Sequence, residues 1–199
     1  MKKQMATQRR RQRIGLISGI VAGVAVLAVI ITFVVTSSIP RQDPDDIEIE
    51  GLKEFPGITA THVTTAVDYE ADYGMSPPAG GNHNAAWLNC GVYDQVQQNE
   101  NAVHALEHGA VWVTYNADVV SGSDLDALRS SLPSTYIILS PYDDLQAPVV
   151  ASAWGAQVEL DGVDDPRLAE FITKYWKSAS APEPGASCTG AISGPGLVS

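Results

Sequence analysis

The pattern of apolar and polar positions divides the chain into two unlike parts. From Ile14 to Val35 run 22 residues without a charge, and only Ser18 and Thr32 carry polar side chains. A helix in a soluble core would interleave polar residues at helical spacing, and this run does not. At 1.5 Å per residue it makes about 33 Å of helix, enough for a hydrocarbon core of about 30 Å. A cleaved signal peptide would have a shorter apolar region followed by a small-x-small site, and Thr36-Ser37-Ser38-Ile39-Pro40 is a poor one. The run is therefore read as an uncleaved transmembrane helix, 14–35.

Beyond residue 50 the periods are those of a folded domain. Thr61 to Tyr69 has β-branched residues in partial alternation and reads as a short strand. Val111 to Tyr115 is a strand. Asp124–Leu132 is a helix with Ser123 as its N-cap and a stripe of Leu125, Leu128 and Leu132 at i, i+3, i+7. Thr135 to Leu139 is a second strand, closed by Pro141. Pro148 to Leu160 holds one or two more, with Gly155 at a turn or bulge. Asp165-Pro166 opens a helix to about Lys177 whose buried face is Leu168, Phe171, Ile172, Tyr175 and Trp176. The order β-α-β-β-α after a loop-rich start predicts an α+β fold, a small domain with a mostly antiparallel sheet and two packed helices on one face.

Charge sharpens this division. Six of the 12 Lys and Arg residues lie before Ile14, and no Asp or Glu precedes Asp43. By the positive-inside rule the basic tail, 1–13, stays cytoplasmic and the rest is external, which places the protein in the cell membrane by a single pass. From Arg41 onward six basic residues meet all 23 acidic ones, a balance of −17, which argues against nucleic acid as a partner of the folded part. Residues 36–50, with Pro40, Pro44 and five acidic side chains, form a tether. Residues 51–177 form the external domain, and 178–199, rich in Ser, Ala, Pro and Gly, a flexible C-terminal tail. Gly15, Gly19 and Gly23 share one face of the span, a spacing that permits weak dimerisation. A membrane or cell-envelope protein is the partner class such an anchored domain would meet.

The candidate chemistry lies between His83 and Tyr115. His104-Ala105-Leu106-Glu107-His108 has the form H-x-x-E-H. On a helix the two histidines share a face and could grip one metal ion, with Glu107 as general acid or base, as in the inverted zinc peptidases. Gly109 stops that helix too early for such an enzyme. The alternative is metal binding without peptidase chemistry, in which His104 and His108 are joined by His83 from the loop Pro77–Asn82, and by His62. Imidazoles suit copper or zinc, and a sulfur from Cys90 or Met75 would tilt the choice to copper. A histidine can also merely cap carbonyls, and that bland role weighs most for His62. Cys90 and Cys188 are the only cysteines. In an oxidising compartment an even count points to a disulfide, with two free thiols, one of them a metal ligand, as the other reading. The four tryptophans read as packing residues.

Five segments together resemble a known family. They are Pro77-Pro78-Ala79-Gly80-Gly81-Asn82-His83, then Trp87, then Cys90-Gly91-Val92-Tyr93, then Val103-His104-Ala105-Leu106-Glu107-His108-Gly109, then Ala151-Ser152-Ala153-Trp154-Gly155. They look like domain-of-unknown-function family 3105, bacterial proteins often bearing one N-terminal span. The likeness runs from about Gly51 to Cys188. The family loop is usually P-P-T-S-G-P-H, from which Ala79, Gly80 and Asn82 depart. The resemblance implies membership and topology but no activity. Three functions stand for the external domain at this point. One is copper or zinc binding through clustered histidines, the second a metal-dependent hydrolase, and the third a structural or protein-interaction module without metal.

Overall fold

The computed structural model describes residues 43–198. The basic tail, the apolar run Ile14 to Val35 with its glycine face, and most of the tether lie outside the described residues. Among the described residues no helix is long and apolar enough to cross a membrane.

Ten elements follow a single turn of 3₁₀ helix at Pro44–Asp46. They are β1 (Lys53–Glu54), α1 (Tyr69–Tyr73), β2 (Gly91–Val92), α2 (Asn99–Glu107), β3 (Val111–Tyr115), α3 (Gly122–Ser131), β4 (Ile137–Pro141), β5 (Val149–Ala153), β6 (Ala156–Leu160) and α4 (Arg167–Tyr175). The strands form one sheet in the order β1-β6-β5-β3-β4-β2. β1, β6, β5 and β3 pair antiparallel, whereas β3–β4 and β4–β2 are parallel. The sheet is thus mixed rather than mostly antiparallel. α3 carries the chain back between β3 and β4, and such a crossover lets the second strand run in the same direction as the first.

Why α2 faces the site follows from the period of β3. Val111, Val113 and Tyr115 turn to one face, where Leu128 of α3 and Leu168 and Phe171 of α4 complete a core. Trp112 turns to the other, where it joins Ile138, Leu106, Ala102 and Ala105, the last three from α2. Helices therefore cover both faces of the sheet, not one, and every residue of β3, β4 and β5 is buried. Trp112 donates its indole N–H to Ser140 Oγ at 3.0 Å, so this large side chain is packed without an orphaned donor.

Three stretches depart from the sequence reading for physical reasons. Residues 61–69 make only a single bridge, His62 to His83, because no neighbouring strand runs beside them. The tether ends sooner than residue 50: Ile47 and Ile49 are buried in the core beside α4. Residues 178–198 are held by backbone hydrogen bonds. Lys177, Glu183 and Gly185 donate to the carbonyls of Gly109, Glu107 and His108, which terminate α2 and its turn. Those are carbonyls a helix end leaves unpaired, and the C-terminal strap supplies their donors. Further on, the strap exchanges bonds with Trp87, Asn89 and Val92.

Cys90 and Cys188 are bonded, with Cα atoms 5.4 Å apart and a sequence separation of 98. Closing a loop of that length contributes up to about 4–5 kcal/mol in the chain-entropy account. Replacing both cysteines by serine is expected to lower the unfolding free energy by about 2–4 kcal/mol. Urea titration of the two proteins measures this, and coincident midpoints would contradict it.

Candidate metal centre

α2 and the loop before it build the site. Gly109, at φ +92°, ends α2 in the left-handed region. Its N–H bonds to Leu106 O and that of Ala110 to Ala105 O, the paired bonds of a Schellman turn. A helix ending here keeps His104 and Glu107 on one face of its last turn and leaves His108 at the C-cap. The loop 81–88 is fastened along this helix. Asn84 N donates to Glu100 O, Leu88 N to Asn101 O, and Asn101 Nδ2 to Ala86 O. His62 is brought alongside by two backbone bonds, from Val63 N to His83 O at 2.7 Å and from His83 N to Thr61 O at 3.0 Å.

Three imidazoles are oriented by the same device. His83 Nδ1 lies 2.8 Å from Gly81 O, His104 Nδ1 2.7 Å from Asn84 O, and His108 Nδ1 2.7 Å from Ser187 O. A carbonyl can only accept, so each Nδ1 carries the hydrogen and donates it. A ring so held that carries no second proton presents the lone pair of Nε2, the arrangement that backbone carbonyls give metal-bound histidines. Gly81 makes its carbonyl available at φ +108°, where a Cβ would fall 2.8 Å from the Tyr73 ring. Tyr69 donates to Asn82 O and Tyr73 accepts from Asn82 N, which hold the loop in place. Burial, and then the charge of Glu100, push the Tyr69 phenol far above its ordinary range, so it remains a donor.

The Nε2 atoms of three histidines converge on one carboxylate oxygen. Glu107 Oε2 is 2.9 Å from His83 Nε2, 3.8 Å from His62 Nε2 and 3.9 Å from His104 Nε2. Ligand atoms of His62, His83, His104 and Glu107 all lie within 4.8 Å of one another. Donors about 2.1 Å from a common ion stand about 3–3.4 Å apart at angles from 90° to tetrahedral, so the group could hold an ion once its side chains draw together. His83, His104 and Glu107 are buried, while the His62 side chain is 48% exposed and opens the group to solvent. His83 faces an acceptor at each ring nitrogen, Gly81 O and Glu107 Oε2. The two contacts call for two protons, one more than a neutral ring carries, and a cation at Nε2 would take the place of the second.

His108 goes elsewhere. Its Nε2 is 3.6 Å from Glu183 Oε2, and with His104 these two make a second group. The H-x-x-E-H stretch thus places His104 in both groups and His108 in the second alone, and Glu107 sits among the donors of the first group rather than across from them. Cys90 is committed to the disulfide, and Met75 Sδ accepts from Ala79 N at 3.3 Å, so neither sulfur joins the histidines. Glu183 and the three orienting carbonyls escape sequence reasoning. No spacing ties Glu183 to His108, and a carbonyl has no signature in the sequence.

The family model described as "Protein of unknown function (DUF3105)" matches residues 62–190, well over half of the chain. The chain belongs to that family, and the matched span holds all four histidines and both cysteines. Neither the curated proteins nor the solved structures include a match.

Burial drives the His104 pKa down from 6.5 to about 4, and the neighbouring His108, His83 and His62 press in the same direction against the opposing bond to Asn84 O. Between pH about 4 and 6.5 the unfolded chain takes up a proton that the folded chain refuses, so stability falls as the pH drops through that window. In chelator-treated protein the urea midpoint is expected to decline from pH 7 to pH 4.5, and His104→Gln to flatten the decline. An identical slope in the variant would contradict this.

Proposed function

We propose that this domain binds one divalent zinc or copper ion through Nε2 of His62, His83 and His104 and the carboxylate of Glu107. The observation that carries the reading is the convergence of three imidazole Nε2 atoms on one buried carboxylate oxygen, at 2.9, 3.8 and 3.9 Å. Three nitrogens and an oxygen without sulfur suit zinc(II) or copper(II) and give copper(I) no soft donor. The purely structural reading accounts for the His83–Glu107 contact but not for the other two, which are too long to be hydrogen bonds. The hydrolase reading needs a free Glu107 beside the ion, and Glu107 instead stands 2.9 Å from His83 among the donors of the first group. The domain is read as anchored by Ile14 to Val35 and facing outward. A disulfide between the two cysteines supports this placement, since such bonds persist in oxidising compartments.

Calorimetric titration of the purified protein with zinc or copper(II) is expected to show one equivalent bound. His104→Ala should weaken binding by about 100-fold or more, which exceeds the usual cost of losing an outer-shell partner, and Glu107→Gln by at least about 10-fold. Binding should release a proton, read from the dependence of the heat on the buffer's ionisation enthalpy. Equal affinity in wild type and both variants would end the proposal.

A further inference from the structure

His108 Nδ1 is committed to Ser187 O at 2.7 Å, so Nε2 is the nitrogen that meets Glu183 Oε2 at 3.6 Å. Ligand atoms of His104, His108 and Glu183 lie within 4.8 Å of one another, and the His104 and His108 rings are edge-to-face with centroids 4.7 Å apart. Glu183 is held at this place by the strap, through its own N–H to Glu107 O at 3.0 Å, five residues before the disulfide at Cys188. Trp87 borders the same two histidines, 5.0 Å from His108 and 5.7 Å from His104, and its Nε1 is buried without an acceptor.

His104 belongs to both groups, yet Asn84 O occupies its Nδ1 and leaves it a single lone pair. One nitrogen cannot serve two ions. We infer that His104, His108 and Glu183 form a second position for the same divalent ion, filled in alternation with the first, and that His104 is the ligand common to both. This rests on the reading of the first group as a metal site. The inner position offers four protein donors, three of them buried. The outer offers three, and its carboxylate side chain is 55% exposed. The inner position is therefore the tighter, and the outer is a way in or out, joined to it by the swing of one ion about one imidazole.

Zinc titration of the full-length protein in detergent, with circular dichroism to confirm the fold of each variant, tests this. Wild type should take one equivalent, and His108→Ala or Glu183→Gln alone should change its affinity by less than about threefold. His83→Ala should still bind one zinc, about 10–100-fold more weakly, and adding His108→Ala or Glu183→Gln to it should cost at least about another tenfold. Two equivalents of like affinity in wild type would overturn the alternation. Residual binding in His83→Ala that is indifferent to His108 and Glu183, or its complete loss with the fold intact, would remove the outer position and leave the inner one standing. Zinc binding that His83→Ala does not weaken would instead remove the inner site, and the alternation with it.

Discussion

Everything distinctive about this domain depends on three hydrogen bonds from imidazole Nδ1 to backbone carbonyls. The carbonyls of Gly81, Asn84 and Ser187 each accept a hydrogen bond from Nδ1 and so decide which nitrogen of His83, His104 and His108 stays free. Without them each ring could turn or change tautomer, and the Nε2 lone pairs would lose their common direction. The carbonyls come from three places in the chain: a glycine loop, an Asx-type turn at Asn84, and the strap beside Cys188. The site is therefore only as rigid as the backbone that carries them.

That backbone is held by packing on one face of the sheet. β3 divides its side chains between two cores, and the one containing Trp112 seats α2 against the sheet. With α2 seated, His104 and Glu107 are placed by helical period alone. The loop 81–88 then lies along the helix by main-chain bonds, and the C-terminal strap closes the carbonyl end of α2. The disulfide ties this strap to the start of β2, so it supports the carbonyl that orients His108 and the carboxylate that meets it. Covalent and noncovalent restraint act on the same few residues.

The electrostatics of the group follow from burial more than from any single charge. One carboxylate sits among the rings, and desolvation keeps that of His104 neutral. Neutral imidazoles with inward lone pairs repel one another weakly and attract a cation strongly. The overall acidity of the domain adds a favourable long-range field for cations and an unfavourable one for anionic polymers.

The sequence by itself determined much of the frame. Two helices, a run of strands with a turn at Gly155, the stop at Gly109, the family and the α+β class were all legible, because each rests on local period or on a residue with special backbone freedom. An even count of two cysteines points to the Cys90–Cys188 pairing. What only the tertiary structure decided is the partition of the histidines. In sequence His104 and His108 look like the pair and His62 the outsider. In space His62 joins His83 through a backbone bridge, and His108 turns away to Glu183, 75 residues further on. The sheet's parallel half, its second covered face and the docking of residues 178–198 were hidden for the same reason. Each depends on contacts between segments far apart in the chain, and period and spacing report only on neighbours.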